Sequence, residues 1–169
     1  MYFNGIAIVA VCANNGIGKD GKIPWRCKED LQYFSKLTKG SGNNSIIMGR
    51  KTWESLPKFP EPLPGRTNIV LTSQTDYMST NLDKRVVILN NKSEIIKYCI
   101  ERRFEENWII GGSDIYREFM DVTTKLYMNR IEDTYECDVF FPDTDSFTEV
   151  YREKCEGWSI PMTKLIFKA

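Results

Sequence analysis

No histidine occurs anywhere in this sequence. Its absence excludes His-dependent triads, HExxH metal sites and every other centre built on imidazole. Acid–base work therefore falls to a carboxylate, Lys, Tyr, Cys or water. Net charge is absent too, since 23 Lys and Arg balance 23 Asp and Glu. The broad basic footprint of a nucleic-acid or membrane-surface protein is missing, although a local basic cluster can still hold a small anion. No two of the cysteines (Cys12, Cys27, Cys99, Cys137, Cys155) stand in C-x-x-C spacing. That argues against a zinc site and for a reduced, cytoplasmic protein. Cys12 and Cys99 read as core fillers, and Cys27 as an exposed thiol. The apolar run "IAIVAV" is too short to span a membrane and follows no basic segment, so it reads as a strand. There is no internal repeat or low-complexity tract, and 169 residues suit one domain over 1–169.

What is present alternates. "IAIVAV" (6–11) is a continuous apolar run, as for a strand buried on both faces. A helix is expected from Glu29 to Lys39, then a strand at "SIIMG" (45–49) and a short helix at "RKTWESL". "PKFPEPLPGR" (57–66) holds four of the seven prolines and reads as an ordered, extended loop. "TNIVLT" and "RVVIL" are strands, and "SEIIKYCIERRF" is an amphipathic helix with Ser93 as its N-cap. "NWIIGG" is a strand running into the helix "SDIYREFM". After Asp121 the pattern turns strand-rich: "KLYMNRIEDTY", "VFF", "FTEVYREK" and "KLIFKA". The expected fold is α/β, with a mostly parallel twisted sheet of about eight strands, an antiparallel C-terminal strand and about four flanking helices.

Five places invite chemistry. In "WIIGGSDIY" two glycines separate a buried strand from a helix start, where free N–H groups and the helix dipole favour phosphate. A tight turn is the commoner reading of Gly-Gly alone, and the G-x-G-x-x-G fingerprint is not met. In "IIMGRKTW" Arg50, Lys51 and Thr52 open a helix at a strand end, where cations oppose the dipole unless an anion binds. Thr72 and Ser73 end a third strand, and such ends converge on the edge where α/β sheets bind nucleotides. In "GKIPWRCKEDLQYFSKL" Asp30 shares a helical stripe with Phe34 and Leu37, with Leu31 beside it, while Glu29 shares a wetter one with Tyr33 and Lys36. Asp30 can be an N-cap or a first-turn acid, but a carboxylate on an apolar stripe suits a partner with complementary donors. Arg66, after "PLPG", presents a fork donor suited to a carboxylate.

Together "IVAV", "NGIGKDGKIPW", "DLQYF", "IIMGRKTWESLP", "PLPGRTNIVLTS", "WIIGGSDIYREF" and "YECDVFFP" resemble the dihydrofolate reductase family, in order and over essentially the whole chain. The resemblance implies NADPH-dependent reduction of 7,8-dihydrofolate to tetrahydrofolate, with hydride passing from nicotinamide C4 to pterin C6 and a proton to N5. It implies Asp30 as the one ionisable group at the pterin, Trp25 holding a water beside the substrate, Tyr116 at the nicotinamide, and Asn129 facing Asp30. Ile8, Val9, Leu31, Phe34, Ser35, Leu56, Leu63 and Ile110 would contact substrate, and Arg66 the glutamate tail. Ala10, Gly16, Ile17, Gly18, Gly21 and Lys22 would lie at the nicotinamide and its covering loop. Gly49, Arg50, Lys51, Thr52, Leu71, Thr72, Ser73 and Gln74 would hold the adenosine and its phosphates. Ile110, Gly111, Gly112, Ser113, Asp114, Ile115 and Tyr116 would take the pyrophosphate side, with a cis Gly111–Gly112 bond. Two departures stand out: Asn129 occupies a position that is commonly Thr, and Asp114 one that is commonly neutral or basic, so Asp114 is expected to point away. The partners implied are dihydrofolate and antifolates such as methotrexate, with no metal, nucleic acid or membrane. A monomer is expected unless the domain is joined to a thymidylate synthase. The alternatives on the same fold are a pyrimidine reductase of riboflavin synthesis and a non-catalytic module.

Overall fold

The N-terminal apolar run forms β1 (Gly5–Val11), buried at all but one position. A strand so apolar on both faces belongs in the middle of a sheet. It lies between β6 (Glu106–Gly111) and β7 (Thr123–Ile131), parallel to both. The computed structural model describes residues 2–78 and 83–169. It extends the sheet through β3 (Asn44–Gly49), β4 (Thr67–Leu71) and β5 (Val86–Leu89) on one side. On the other side stand β10 (Met162–Lys168) and β9 (Thr148–Cys155). The eight-stranded order is β5-β4-β3-β6-β1-β7-β10-β9, and only β10 runs against its neighbours. This is one α/β domain of the expected kind.

Side chains alternate between two faces of β1 and so feed two cores. Ile6 and Ile8 join Met48, Trp108 and the half-buried Phe34 and Leu37 of α1 (Lys28–Lys39). Ala7, Val9 and Val11 face the other way, with Ile95 and Cys99 of α3 (Lys92–Arg102) and Ile115 and Phe119 of α4 (Ser113–Phe119). The short α2 (Arg50–Glu54) follows β3 directly and buries Trp53 completely. Fully burying an aliphatic or phenyl side chain contributes about 1.5–3 kcal/mol, so both faces are held strongly.

The structure departs from the sequence expectations in several places. The cap of α3 is Asn91, whose side chain accepts from Glu94 N–H at 2.9 Å, rather than Ser93. Two asparagines precede the helix, and the extended one satisfies the free donor one turn in. The proline-rich stretch is ordered but turned rather than extended, with Phe59 N–H to Leu56 O at 3.0 Å and Glu61 N–H to Lys58 O at 2.7 Å. Buried Asn68 holds its far end, exchanging hydrogen bonds of 3.0 Å with both backbone groups of Leu63. "VFF" leaves the main sheet: β8 (Val139–Phe140) pairs with an unanticipated β2 (Gly16–Gly18). Past β2, Lys19 and Lys22 exchange hydrogen bonds of 2.7 and 3.0 Å around Asp20 (φ 51°) and Gly21 (φ 77°). Asp-Gly with both φ positive is a tight hairpin turn, and that dipeptide was the signal available in the sequence.

Candidate active site

Asp30 lies in the first turn of α1, which no side chain caps. It does not cap the helix itself. Its carboxylate is largely buried, and Asn129 Nδ2 donates to Oδ1 at 2.6 Å across the sheet face. Burial pushes the Asp30 carboxyl above its ordinary range, and the Asn129 bond pulls it partly back. No cation forms an ion pair with Asp30 among the described residues. Asn129 is only 4% exposed and sits in register with Ala10 of β1, so β1 and β7 together form the floor below Asp30. Tyr116, buried on α4, donates its hydroxyl to Ile8 O at 2.7 Å. Burial, with the Asp30 charge adding to it, keeps that phenol protonated.

The apolar walls divide by face. Phe34, Leu56, Leu63 and Ile110 pack against the core that contains Ile8. Leu31 is exposed at 46%, and Ser35 is half-buried on the same helix. Val9 turns its side chain into the opposite core, so only its backbone can reach a ligand above Asp30. Trp25 packs 5.3 Å from the Tyr135 ring, in a cluster with Cys27 and Met162. Cys27 is buried at the start of α1 rather than exposed. The Glu29 side is the wetter one, as its stripe suggested, and there Glu29 Oε1 accepts from Ser159 N–H at 2.9 Å and from its hydroxyl at 2.6 Å. Those bonds hold the Glu29 carboxyl down at about 2.

Arg66 is only 4% exposed. Nε donates to Pro64 O at 2.9 Å and Nη1 to Thr38 Oγ1 at 2.8 Å. No carboxylate pairs with it among the described residues. A buried guanidinium held by neutral oxygens alone is an uncompensated cation. Burial lowers its pKa, although an arginine stays charged. Thr38 lies on α1, about 12 Å along the helix axis from Asp30 at 1.5 Å per residue. Thr38 and Asn68, which aim this arginine, belong to no recognisable motif, and nothing in the sequence singles them out.

The remaining candidates gather at the carboxyl ends of β3, β4 and β6, adjacent parallel strands. Gly49 and Gly112 precede α2 and α4, and neither helix has a side-chain cap. A Cβ on Gly49 would stand 3.1 Å from Ile115, and one on Gly111 (φ 110°) 3.0 Å from the Tyr116 ring. Gly112 differs: the nearest atom to its Cβ would be Thr52 Oγ1 at 3.8 Å. A side-chain-free space thus opens between two uncapped helix starts, and a phosphate-bearing dinucleotide fits there. The Gly111–Gly112 peptide is cis. Arg50 reaches back to Glu54 at 3.0 Å, while Lys51 is exposed. Asp114 pairs outward with Arg117 at 3.0 Å, its side chain 92% exposed, so it does turn away. Beyond Leu71, Thr72 Oγ1 accepts from Gln74 N–H at 3.2 Å, a turn that leaves Ser73 and Gln74 exposed.

The glycines expected in a covering loop lie in the β2 hairpin. Gly16, Ile17 and Gly18 form β2, with Gly21 and Lys22 in the hairpin beyond. Asp138, inside the "YECDVFFP" stretch but not singled out there, clamps it. Its Oδ2 accepts from Asp20 N–H at 3.0 Å, and its own N–H donates to Gly18 O at 2.9 Å. Ser113 stands half-buried at the start of α4. No cluster of His, Cys, Asp or Glu able to hold a metal occurs among the described residues.

Fold and site together define a class: an α/β protein with uncapped, glycine-preceded helix starts at its parallel strand ends and one largely buried acid on a neighbouring helix. A family model described as dihydrofolate reductase matches residues 6–166. A dihydrofolate reductase of Drosophila melanogaster is 43% identical over 151 residues, 85% of this chain and 82% of that protein. One of Heliothis virescens is 41% identical over 145 residues, 82% and 78% of the two chains. A solved dihydrofolate reductase of Enterococcus faecalis, complexed with NADP(H) and RAB-propyl, superposes with a TM-score of 0.81 at 31% identity. That superposition covers 99% of this chain and 98% of the other. The chain belongs to the dihydrofolate reductase family.

Proposed function

We propose that this protein reduces 7,8-dihydrofolate to 5,6,7,8-tetrahydrofolate with NADPH, supplying one-carbon metabolism. The observation that carries the reading is the pairing of a cation-free buried acid, Asp30, with a carboxylate-free buried arginine, Arg66, along one helix. Those ends call for a ligand with a donor-rich ring at one end and a carboxylate at the other. NADPH, when bound, supplies the hydride that goes to C6 of the substrate. The Asp30 carboxylate accepts the paired N–H groups of the pterin amino edge, which fixes the ring and raises the proton affinity of N5 through water. Asn129 holds that carboxylate in place. Tyr116 orients the Ile8 carbonyl, and in antifolate complexes the Ile8 and Ile110 carbonyls accept from the ring's 4-amino group. Phe34, Leu31, Leu56 and Leu63 enclose the benzoyl portion, and Arg66 pairs with the glutamate carboxylate. The β2 hairpin closes over the reacting atoms and excludes water.

The cofactor rests on the cleft at Gly49–Thr52, Thr72–Gln74 and Gly111–Tyr116, with antifolates such as methotrexate competing at the pterin end. Residues 1–169 act as one reductase domain in this reading. The Daucus carota relative, a bifunctional dihydrofolate reductase-thymidylate synthase, is 38% identical over 82% of this chain but only 28% of its own length. A monomeric, cytoplasmic enzyme fits the free thiols, and no helix among the described residues is long and apolar enough to cross a membrane. A pyrimidine reductase of riboflavin synthesis has no use for both Asp30 and Arg66, and a non-catalytic module has no reason to retain them. Loss of NADPH absorbance on adding dihydrofolate, blocked by methotrexate, is the direct test. Folded protein that gives no turnover overturns the proposal.

Asn129 makes a further prediction. Its N–H stabilises the charged form of Asp30, so Asn129→Ala raises the Asp30 pKa further. Protonated Asp30 then persists to higher pH, and the midpoint of the pH profile for hydride transfer moves upward. A single-turnover profile with an unmoved midpoint contradicts this coupling.

A further inference from the structure

Cys12 and Cys137 are far apart in sequence but share one small space above Gly16. Both sulfurs crowd the position that a side chain on Gly16 would take. A Cβ at Gly16 would collide with Cys137 Sγ and stand 3.0 Å from Cys12 Sγ, so glycine at this position leaves the room in which the two sulfurs lie near each other. Both thiols are free, with Cys12 buried and Cys137 partly exposed. The remaining cysteines have other surroundings: Cys99 faces Ser45 at 3.8 Å, and Cys27 faces Glu29 at 3.4 Å.

The pair stands at both anchor points of the lid, the β2 hairpin. Cys12 N–H donates to Gly16 O at 3.1 Å, and Asn15 N–H to Cys12 O at 2.9 Å, which sets the departure of the lid from β1. Cys137 lies between Glu136, which pairs with Lys19 at 3.1 Å, and Asp138, which clamps Asp20 and Gly18. A bond between the two sulfurs ties the lid's origin to its clamp.

We propose that Cys12 and Cys137 are a modification site, a dithiol that closes to a disulfide by exchange with a low-molecular-weight disulfide such as oxidised glutathione and thereby restrains the lid. Burial and the neighbouring Cys12 push the Cys137 pKa up, so exposure rather than acidity makes it the first to react. It loses its proton to solvent, and its thiolate attacks one sulfur of the reagent, releases one reagent thiol and carries the other as a mixed disulfide. The Cys12 thiolate then attacks the Cys137 sulfur, forms the protein disulfide and releases the second reagent thiol. Two protein thiols give up two electrons and two protons, and the reagent is reduced to two thiols. Burial disfavours the Cys12 thiolate, but backbone groups of Tyr135, Asn14 and Gly16 outweigh it and bring its pKa below the ordinary value. The 2.6 Å bond from the Cys12 thiol to Asn14 Oδ1 breaks as the proton leaves.

The full chain is incubated natively with oxidised glutathione, then studied by intact mass, denatured thiol titration and peptide mapping. The expected product is about 2 Da lighter, with two thiols lost and a crosslinked peptide joining residues 12 and 137. Cys137→Ser shows neither change. A lasting glutathione adduct, a crosslink between other cysteines, or unaltered mass in the wild-type protein overturns the site. Restraint of the lid rests on the reductase reading, and there turnover falls on oxidation and returns with dithiothreitol. A disulfide that forms without changing turnover overturns the restraint. A protein inactive even when reduced overturns the reductase reading instead, and the mass result still decides the disulfide.

Discussion

Asp30→Asn is expected to lower hydride transfer to dihydrofolate about 10²–10⁴-fold at neutral pH, the range for losing a positioned acid–base group. The same change raises the melting temperature. The folded pKa of Asp30 lies above its unfolded value because burial outweighs the Asn129 bond. The folded state therefore holds this proton more tightly than the unfolded chain, and ionising the group costs stability. Relative to the variant, wild-type stability falls as pH rises from the ordinary Asp range through the raised pKa, and stays lower above it. Asn avoids that charge, and its side-chain oxygen can still accept from Asn129. Melting curves of the two proteins should converge in acid and separate at neutral pH. Curves that stay parallel across that window, or activity within a few-fold of wild type, remove the assigned role. Active-site groups commonly oppose stability in this way.

Arg66→Ala is expected to raise KM for dihydrofolate about 30- to 1,000-fold, with a small effect on kcat. Removing one partner of a buried, hydrogen-bonded ion pair costs about 2–4 kcal/mol, and each 1.4 kcal/mol is about tenfold in affinity. The tail contact is made equally in ground and transition states, so it acts as uniform binding. Arg66→Lys should recover little, because an ammonium cannot keep both Pro64 O and Thr38 Oγ1 while pairing side by side with a carboxylate. A substrate analogue lacking the glutamate carboxylate should bind wild type and Arg66→Ala almost equally. If kcat collapses while KM holds, Arg66 acts on the chemistry rather than on the tail.

Much of the site is legible in the sequence because its parts are local. The glycines before α2 and α4, the basic opening of α2 and the Asp30–Phe34–Leu37 stripe each lie within one element or one junction. Their meaning follows from helix period, helix ends and the parallel sheet rule. The state of Arg66 is not legible. Its burial depends on Thr38 from α1 and on a loop tied down by Asn68, and no periodicity records that closure. Cys27 misleads for a similar reason: a thiol beside a lysine reads as exposed until Trp25 and Met162 close over it. The lid hairpin does carry a local signal, since Asp20–Gly21 announces the turn.

The sequence by itself determined the alternation of strands and helices, the limits on chemistry set by having no histidine, and the residue types available at each strand end. These follow from local sterics and from hydrophobic periods of 2 and 3.6, which any short stretch carries within itself. Only the tertiary structure decided which of those groups meet. Asn129 bonds Asp30 across a separation of 99 residues because β7 lies beside β1 under α1. Cys12 faces Cys137, and β8 leaves the main sheet for β2, through the same strand order. Strand order is settled by packing the whole sheet between two cores, and that competition is global.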